Sequence, residues 1–288
     1  MLSTQTSATI FKYSAKENAM LLTVVVENFC QNQNLKSEWG YSLHLKNQTT
    51  DLLLDTGGYQ HALEHNAKYL DLDWKSLKDV VLSHSHFDHT AGLMDVVRMA
   101  PQATIWGGAG FEKQRWSDAD HARNGGGGAV MSSVIDRTID PWAHVTPDVI
   151  AFTVPQSERN PKFINSRDMW EETLNGEIIP DTFTDDVSLL IRGERGYSVV
   201  LGCAHAGLPN ILAYAQKTFG IDSFDTVLGG THLCSVPDSE LDAWMEILKS
   251  FNVKRWRPNH CTGFHAAARL AQGFEDVQWA GCGTRIQL

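Results

Sequence analysis

Short apolar runs separated by polar turns open the chain. Residues 20–27 (MLLTVVVE), 41–46 (YSLHLK) and 51–55 (DLLLD) are rich in β-branched and aliphatic positions and predict three strands. The period then changes. Ala62, Leu63, Ala67 and Leu70 recur at helical spacing, and Val80 to Ser83 form a short run suited to a buried strand. Leu93, Val96, Val97 and Ala100 share one face of a helix over 90–100 that Pro101 stops, and a strand is expected at 103–106. The C-terminal part repeats the alternation. Strands are expected near 187–191, 197–202, 225–229 and 253–258, helices near 208–219, 239–251 and 265–273, and a closing strand over 277–287.

Strands first, then strands alternating with helices in both halves, suit an α/β fold arranged as an αββα sandwich of two mixed β-sheets flanked by helices. A doubly wound sheet competes, but Asp55-Thr56-Gly57-Gly58 lacks the spacing of a dinucleotide-binding glycine loop. Between about 107 and 185 the periodicity fails. Four glycines at 125–128, several prolines and the polar run Gln156 to Arg167 interrupt it. This stretch reads as a lid or substrate insertion on a single domain spanning 1–288.

Composition then removes alternatives. A formal net charge of -10 gives no global attraction for nucleic acid or an anionic membrane. Met1 to Ala19 contains no apolar core of a signal peptide, and no run of about 18 apolar residues occurs, so a soluble, cytoplasmic protein is the default expectation. Cys30, Cys203, Cys234, Cys261 and Cys282 are odd in number, widely spaced and without a Cys-x-x-Cys pair, which argues for reduced thiols.

The chemistry concentrates directly after one expected strand. His84, His86, Asp88 and His89 place three imidazoles and a carboxylate within six residues. Borderline-soft divalent metals take these donors, and such a cluster can serve two cations roughly 3.5–4 Å apart with a bridging hydroxide as nucleophile. An ordinary polar loop does not account for that spacing between a strand and a helix.

His84 to His89 resembles the His-x-His-x-Asp-His motif of the metallo-β-lactamase superfamily, and Asp55-Thr56-Gly57 is similar to its upstream Asp-Thr-Gly turn. The resemblance implies that Asp55 orients the metal-binding loop rather than binding metal. Further ligands are expected from the C-terminal half, where His205, His232 and His260 end strands; His205 and His260 are taken as ligands, and His232 as a substrate-positioning or proton-transfer group. Asn66-Ala67-Lys68, Gly202-Cys203-Ala204-His205-Ala206-Gly207, Asn210-Ile211-Leu212, Gly229-Gly230-Thr231-His232-Leu233 and His260-Cys261-Thr262-Gly263 are similar to the branch of archaeal dihydropterin synthases of methanopterin assembly. Two departures stand out. Cys203 occupies the place where many hydrolases of the superfamily carry a bridging aspartate, and Asp185-Asp186 stands where a His-x-x-Gly-His element is absent.

The expectation is therefore a metal-dependent hydrolase acting through a metal-bound hydroxide on an ester, lactone, amide or phosphate-type centre. His84, His86 and His205 would hold one divalent cation and Asp88, His89 and His260 the other, with Asp88 and His232 in catalytic roles. Zinc is the first choice of metal, with manganese or iron as alternatives. A synthase-like transferase releasing diphosphate, or a non-catalytic metal or redox sensor, are the rivals. The partner expected is a small molecule of anionic or aromatic character, with no nucleic acid and no membrane, and a homo-oligomer stays open. Arg115, Arg123, Arg159, Lys162 and Arg167, interspersed with Trp116, Phe163 and Trp170, could grip such a ligand or be solvated loop residues.

Overall fold

The computed structural model describes residues 19–58, 61–117, 123–128, 132–164, 169–173 and 175–288. The reading of residues 1–18 and the cation Arg167 lie outside them, as does the side chain of Arg123.

Strict alternation of apolar side chains decides the layering. In β1 (Leu21–Val26), β3 (Asp51–Leu54) and β4 (Asp79–Val81), Val24, Leu52, Leu54 and Val81 enter one core while Val25, Leu53 and Val80 enter another. In β10 (Val149–Thr153), β13 (Val187–Gly193) and β14 (Gly196–Leu201), Val149, Leu189 and Val200 point into that same first core from the opposite side. Their neighbours Ile150, Leu190 and Val199 face a third core. Both faces of each sheet are thus buried, which is why these strands read as continuous apolar runs.

With β2 (Ser42–Lys46), β5 (Thr104–Gly108), β8 (Arg137–Ile139) and β17 (Arg285–Gln287), the first sheet has seven strands in the order β17-β1-β2-β3-β4-β5-β8. With β9 (Trp142–Thr146), β15 (Phe224–Gly230) and β16 (Val253–Asn259), the second has six in the order β16-β15-β14-β13-β10-β9. Helices α1 (His61–Tyr69) and α3 (Leu93–Met99) bury Ala62, Leu63 and Val96 against the outer face of the first sheet. Helices α4 (Leu208–Phe219), α5 (Asp238–Lys249) and α6 (Phe264–Gly273) bury Ile211, Trp244 and Leu270 against the second. Helix, sheet, sheet, helix is the expected αββα sandwich. No helix among the described residues is long and apolar enough to cross a membrane.

Three expectations change. The helix over 90–100 is two, α2 (Phe87–Thr90) and α3. The closing strand over 277–287 is shorter, because the segment changes partners: Gln278 and Ala280 donate to the carbonyls of Trp256 and Pro258 beside β16, and Arg285–Gln287 forms the strand that pairs with β1. One segment therefore ties both sheets. Within 107–185, β9 and β10 belong to the second sheet, while β6 (Arg115–Ser117), β7 (Arg123–Gly126), β11 (Met169–Glu172) and β12 (Ile178–Pro180) form a separate four-stranded sheet.

At the start of β3, Asp51 lies 2.7 Å from each of His44 Nε2, Lys46 Nζ and Ser76 Oγ. Burial pushes its carboxyl up, but hydrogen bonds from His44, Lys46 and Ser76 outweigh that and hold it below the usual carboxylate range. A depressed folded-state pKa contributes stability that is complete above the unfolded value of about 3.9 and is lost as pH falls through the folded value. Asp51→Asn is expected to cost about 1–3 kcal/mol at neutral pH. The melting-temperature gap to the wild type should begin to narrow as pH falls below about 4 and go on narrowing towards the depressed folded value; a gap independent of pH would contradict the assignment.

Candidate metal centre

Five strands deliver their carboxyl ends to one edge of the sandwich, the place where open α/β architectures leave a crevice. Asp55 follows β3, Ser83 to His86 follow β4 and lead into α2 with Asp88 and His89, Cys203 and His205 follow β14, His232 follows β15, and His260 follows β16. His84, His86 and His205 each offer a donor atom within 4.8 Å of one another, and so do Asp88, His89 and His260. His84 Nε2 is 3.2 Å from His205 Nε2, and His89 Nε2 is 3.2 Å from His260 Nε2. Asp88 Oδ2 lies 3.3 Å from His260 Nε2. All six residues proposed as ligands from the sequence thus converge. His232 stands beside them, its ring centroid 4.5 Å from that of His205.

The orientation of these rings has identifiable causes. Asp55, fully buried and in a left-handed conformation with φ 59°, accepts the Ser83 backbone N–H and the Ser83 hydroxyl, both at 2.7 Å. Its Oδ2 also takes the His89 Nδ1 proton at 2.7 Å. Because the Ser83 hydroxyl hydrogen goes to Asp55, Ser83 Oγ is an acceptor for His84 Nδ1 at 2.9 Å. One carboxylate therefore fixes two imidazoles with Nε2 bare and facing the site. On the other side, Glu27 Oε1 accepts the His260 backbone N–H at 2.7 Å, and Asn28 Oδ1 lies 3.0 Å from His260 Nδ1. Phe183 stacks on His205 with centroids 4.3 Å apart and Tyr41 stacks on His260 at 6.1 Å, keeping water off both ring faces.

Two glycines permit the convergence. A Cβ at Gly202 would collide with Ser83 Oγ, so β14 can bring Cys203 and His205 against the Asp55–Ser83 anchor only without a side chain there. Gly126, at φ 121°, forms a bridge to His86, and a Cβ there would strike the Ser85 carbonyl. The glycine run at 125–128 is thus a clasp on the histidine loop, a role its composition does not reveal.

Sequence reasoning also missed the charges below that loop. Arg115 is buried and donates to Asp181 Oδ2 at 3.2 Å and Asp185 Oδ1 at 2.7 Å; Asp185 Oδ2 in turn accepts the Ser85 N–H at 3.0 Å, and Asp181 Oδ2 lies 3.7 Å from His86 Nε2. Arg159 donates to the carbonyls of Val154, Thr182 and Phe183. Both arginines are engaged inside the protein and do not serve as grips for a ligand. The signal available was Asp181, Asp185 and Asp186 clustered before β13, opposite a sequence-remote arginine.

The electrostatics suit a cation. Burial, followed by the charges of neighbouring imidazoles, pulls His84 and His205 well below the ordinary histidine value and His232 down to about 3. Neutral imidazole is the ligating form. Burial also pulls on His260, but its hydrogen bond to Asp88 and the nearby Cys261 and Glu27 push it up to about 9, so positive charge is favoured where Asp88, His89 and His260 meet. Tetrahedral sites with metal–nitrogen bonds of about 2.0–2.1 Å have ligand–ligand edges of roughly 3.3–3.4 Å. The two 3.2 Å nitrogen pairs match that edge, and the donor set fits divalent metal.

A fold of this layering with a His-x-His-x-Asp-His loop at the open edge defines a class, and the comparisons agree. The family model described as the metallo-beta-lactamase superfamily matches residues 41–164. It is 24% identical to the 7,8-dihydropterin-6-methyl-4-(β-D-ribofuranosyl)-aminobenzene-5'-phosphate synthase of Methanocaldococcus jannaschii, over 90% of this chain and 93% of that one. The solved structure of Tm1679, a metal-dependent hydrolase of the β-lactamase superfamily, superimposes with a TM-score of 0.80 at 26% identity, covering 93% of this chain and 99% of that one. Zinc-bound PqqB from Methylobacterium extorquens shares the fold, with a TM-score of 0.54 at 13% identity over 93% of this chain and all of that one.

Asp55→Asn keeps the shape of the anchor but replaces one acceptor oxygen by an NH2 group that cannot accept from Ser83 or His89. Zinc affinity in a chelator-buffered titration is expected to fall about 10–100-fold, with circular dichroism unchanged; wild-type affinity would show that the anchor does not govern the site.

Proposed function

We propose that the protein is a metal-dependent hydrolase that holds two divalent cations, zinc before manganese or iron, and acts on an ester, lactone, amide or phosphate-type centre of a small molecule in the cytoplasm. The observation that carries this reading is the pair of opposed ring-nitrogen contacts at 3.2 Å, each completed by a third donor, His86 in one group and Asp88 in the other. His84, His86 and His205 would hold one cation and Asp88, His89 and His260 the other. Bound there, such cations supply Lewis acidity towards an electrophilic centre and acidify water near neutral pH.

The chain's own residues do the remainder. Asp55 and Ser83 hold the rings of His84 and His89 in one tautomer, and Phe183 and Tyr41 exclude water from the ring faces of His205 and His260. Burial would raise the Asp88 carboxyl, but His89 and His260 outweigh it and keep the carboxylate charged. His232 has Nδ1 3.2 Å from Ser235 Oγ, which leaves Nε2 for the substrate. Burial disfavours its protonated form, so the neutral His232 is placed to position a substrate group by hydrogen bonding rather than to carry a proton.

The 26% identity to a metal-dependent hydrolase supports this reading. The 24% identity to the synthase, over nearly all of both chains, favours a second one, a transferase in which diphosphate leaves and no water is consumed. Diphosphate release without uptake of labelled solvent oxygen would move the assignment there.

Elemental analysis, joined to turnover on lactone, phosphodiester and thioester panels, tests the proposal. His86→Ala should lower metal content and reduce turnover on the order of 100-fold or more, with the fold retained by circular dichroism. Full metal occupancy and normal rates in that variant would contradict it.

A further inference from the structure

Cys203 lies between the two groups of donors rather than beside either. Its Sγ is 3.1 Å from His89 Nε2. It shares donor groups of 4.8 Å span with His84 and His89, with His205 and His232, and with His260 and Cys261. One sulfur atom is therefore close to two imidazoles of each half-site, His84 and His205 on one side and His89 and His260 on the other. Cys203 is buried, and β14 is pressed against Ser83 at Gly202, which leaves the Cys203 side chain little freedom to turn away.

Resting on the metal-dependent reading above, we propose that Cys203 supplies a thiolate ligand shared by both cations. When a cation binds, an Sγ–metal bond forms and the thiol proton leaves to solvent. Three donors from each half-site plus the shared sulfur give each cation four protein ligands, and the expansion to five that zinc tolerates leaves a position for water or substrate. Thiolate also discriminates among metals: it favours zinc, cobalt and ferrous iron over magnesium and manganese, which prefer oxygen. Cys261 joins only the group with His260 and Cys203 and none with His84, His86 or His205, and its Sγ donates to the Cys203 carbonyl oxygen at 3.7 Å, so it is not placed to be shared. The two thiols, though neighbours, thus have different duties: Cys203 ligates and Cys261 packs.

Cobalt titration of the metal-stripped full-length protein tests this without reference to activity. A thiolate-to-cobalt charge-transfer band in the near ultraviolet should grow through both the first and the second equivalent. Cys203→Ser should lose the band and bind zinc at least about tenfold more weakly. Cys203→Asp should regain binding without the band and shift its preference towards manganese. Cys261→Ser should keep the band. A band complete after one equivalent would overturn sharing. Bound cobalt with no band, or a band that survives Cys203→Ser, would overturn ligation while leaving the metal-dependent reading intact. Failure of the wild type to bind cobalt or zinc would remove both.

Discussion

Opposed imidazole nitrogens in a buried space are the constraint on which the rest of the structure depends. His84 and His205, and again His89 and His260, direct Nε2 atoms at each other across 3.2 Å. A buried ring nitrogen left without a partner costs about 1–3 kcal/mol. A proton or a cation at each meeting point relieves that cost. Around the same place Asp55, Ala204, His232 and His260 all adopt left-handed backbone conformations, at about 1–3 kcal/mol each. Such conformations persist only where the surroundings over-determine them. Strain concentrated at four strand ends, all facing one crevice, fits a site whose ligands are positioned in advance of the cation.

Positioning is the work of the sandwich. Parallel strands in both sheets end at the same edge, so residues more than a hundred positions apart in sequence arrive together without any local signal. The two halves are tied by the segment that leaves β16 for β1, and Glu27 at the end of β1 holds His260 at the end of β16. The four-stranded sheet completes the enclosure: Gly126 bridges His86 on the histidine loop, and its cross-strand partner Arg115 links Asp181 and Asp185. What looks like decoration on the core is part of the scaffold that keeps His86 in place.

Much of this was legible in the sequence, for physical reasons. Strands buried on both faces read as continuous apolar runs, as Leu52 to Leu54 and Val199 to Leu201 show. A helix that begins at Gly207 and ends at Gly220 is bounded by its own caps, so α4 falls on 208–219 as expected. The metal loop announces itself because four ligand-type side chains in six residues have few other uses. The opposite held where a residue's role depends on a distant partner. Arg115 and Arg159 read as loop cations until Asp181, Asp185 and three carbonyls are seen around them. The glycines at 125–128 read only as a break in the periodicity because close approach to Ser85 leaves no trace in composition. β9 and β10 were hidden inside an interval whose irregular flanks masked them.

Anomalous diffraction at the zinc absorption edge, from crystals of the zinc-loaded protein, tests the central claim most directly. Two peaks are predicted, one bounded by His84, His86 and His205 and the other by Asp88, His89 and His260. Density showing these rings joined only by hydrogen bonds, with no anomalous scatterer among them, would contradict the account.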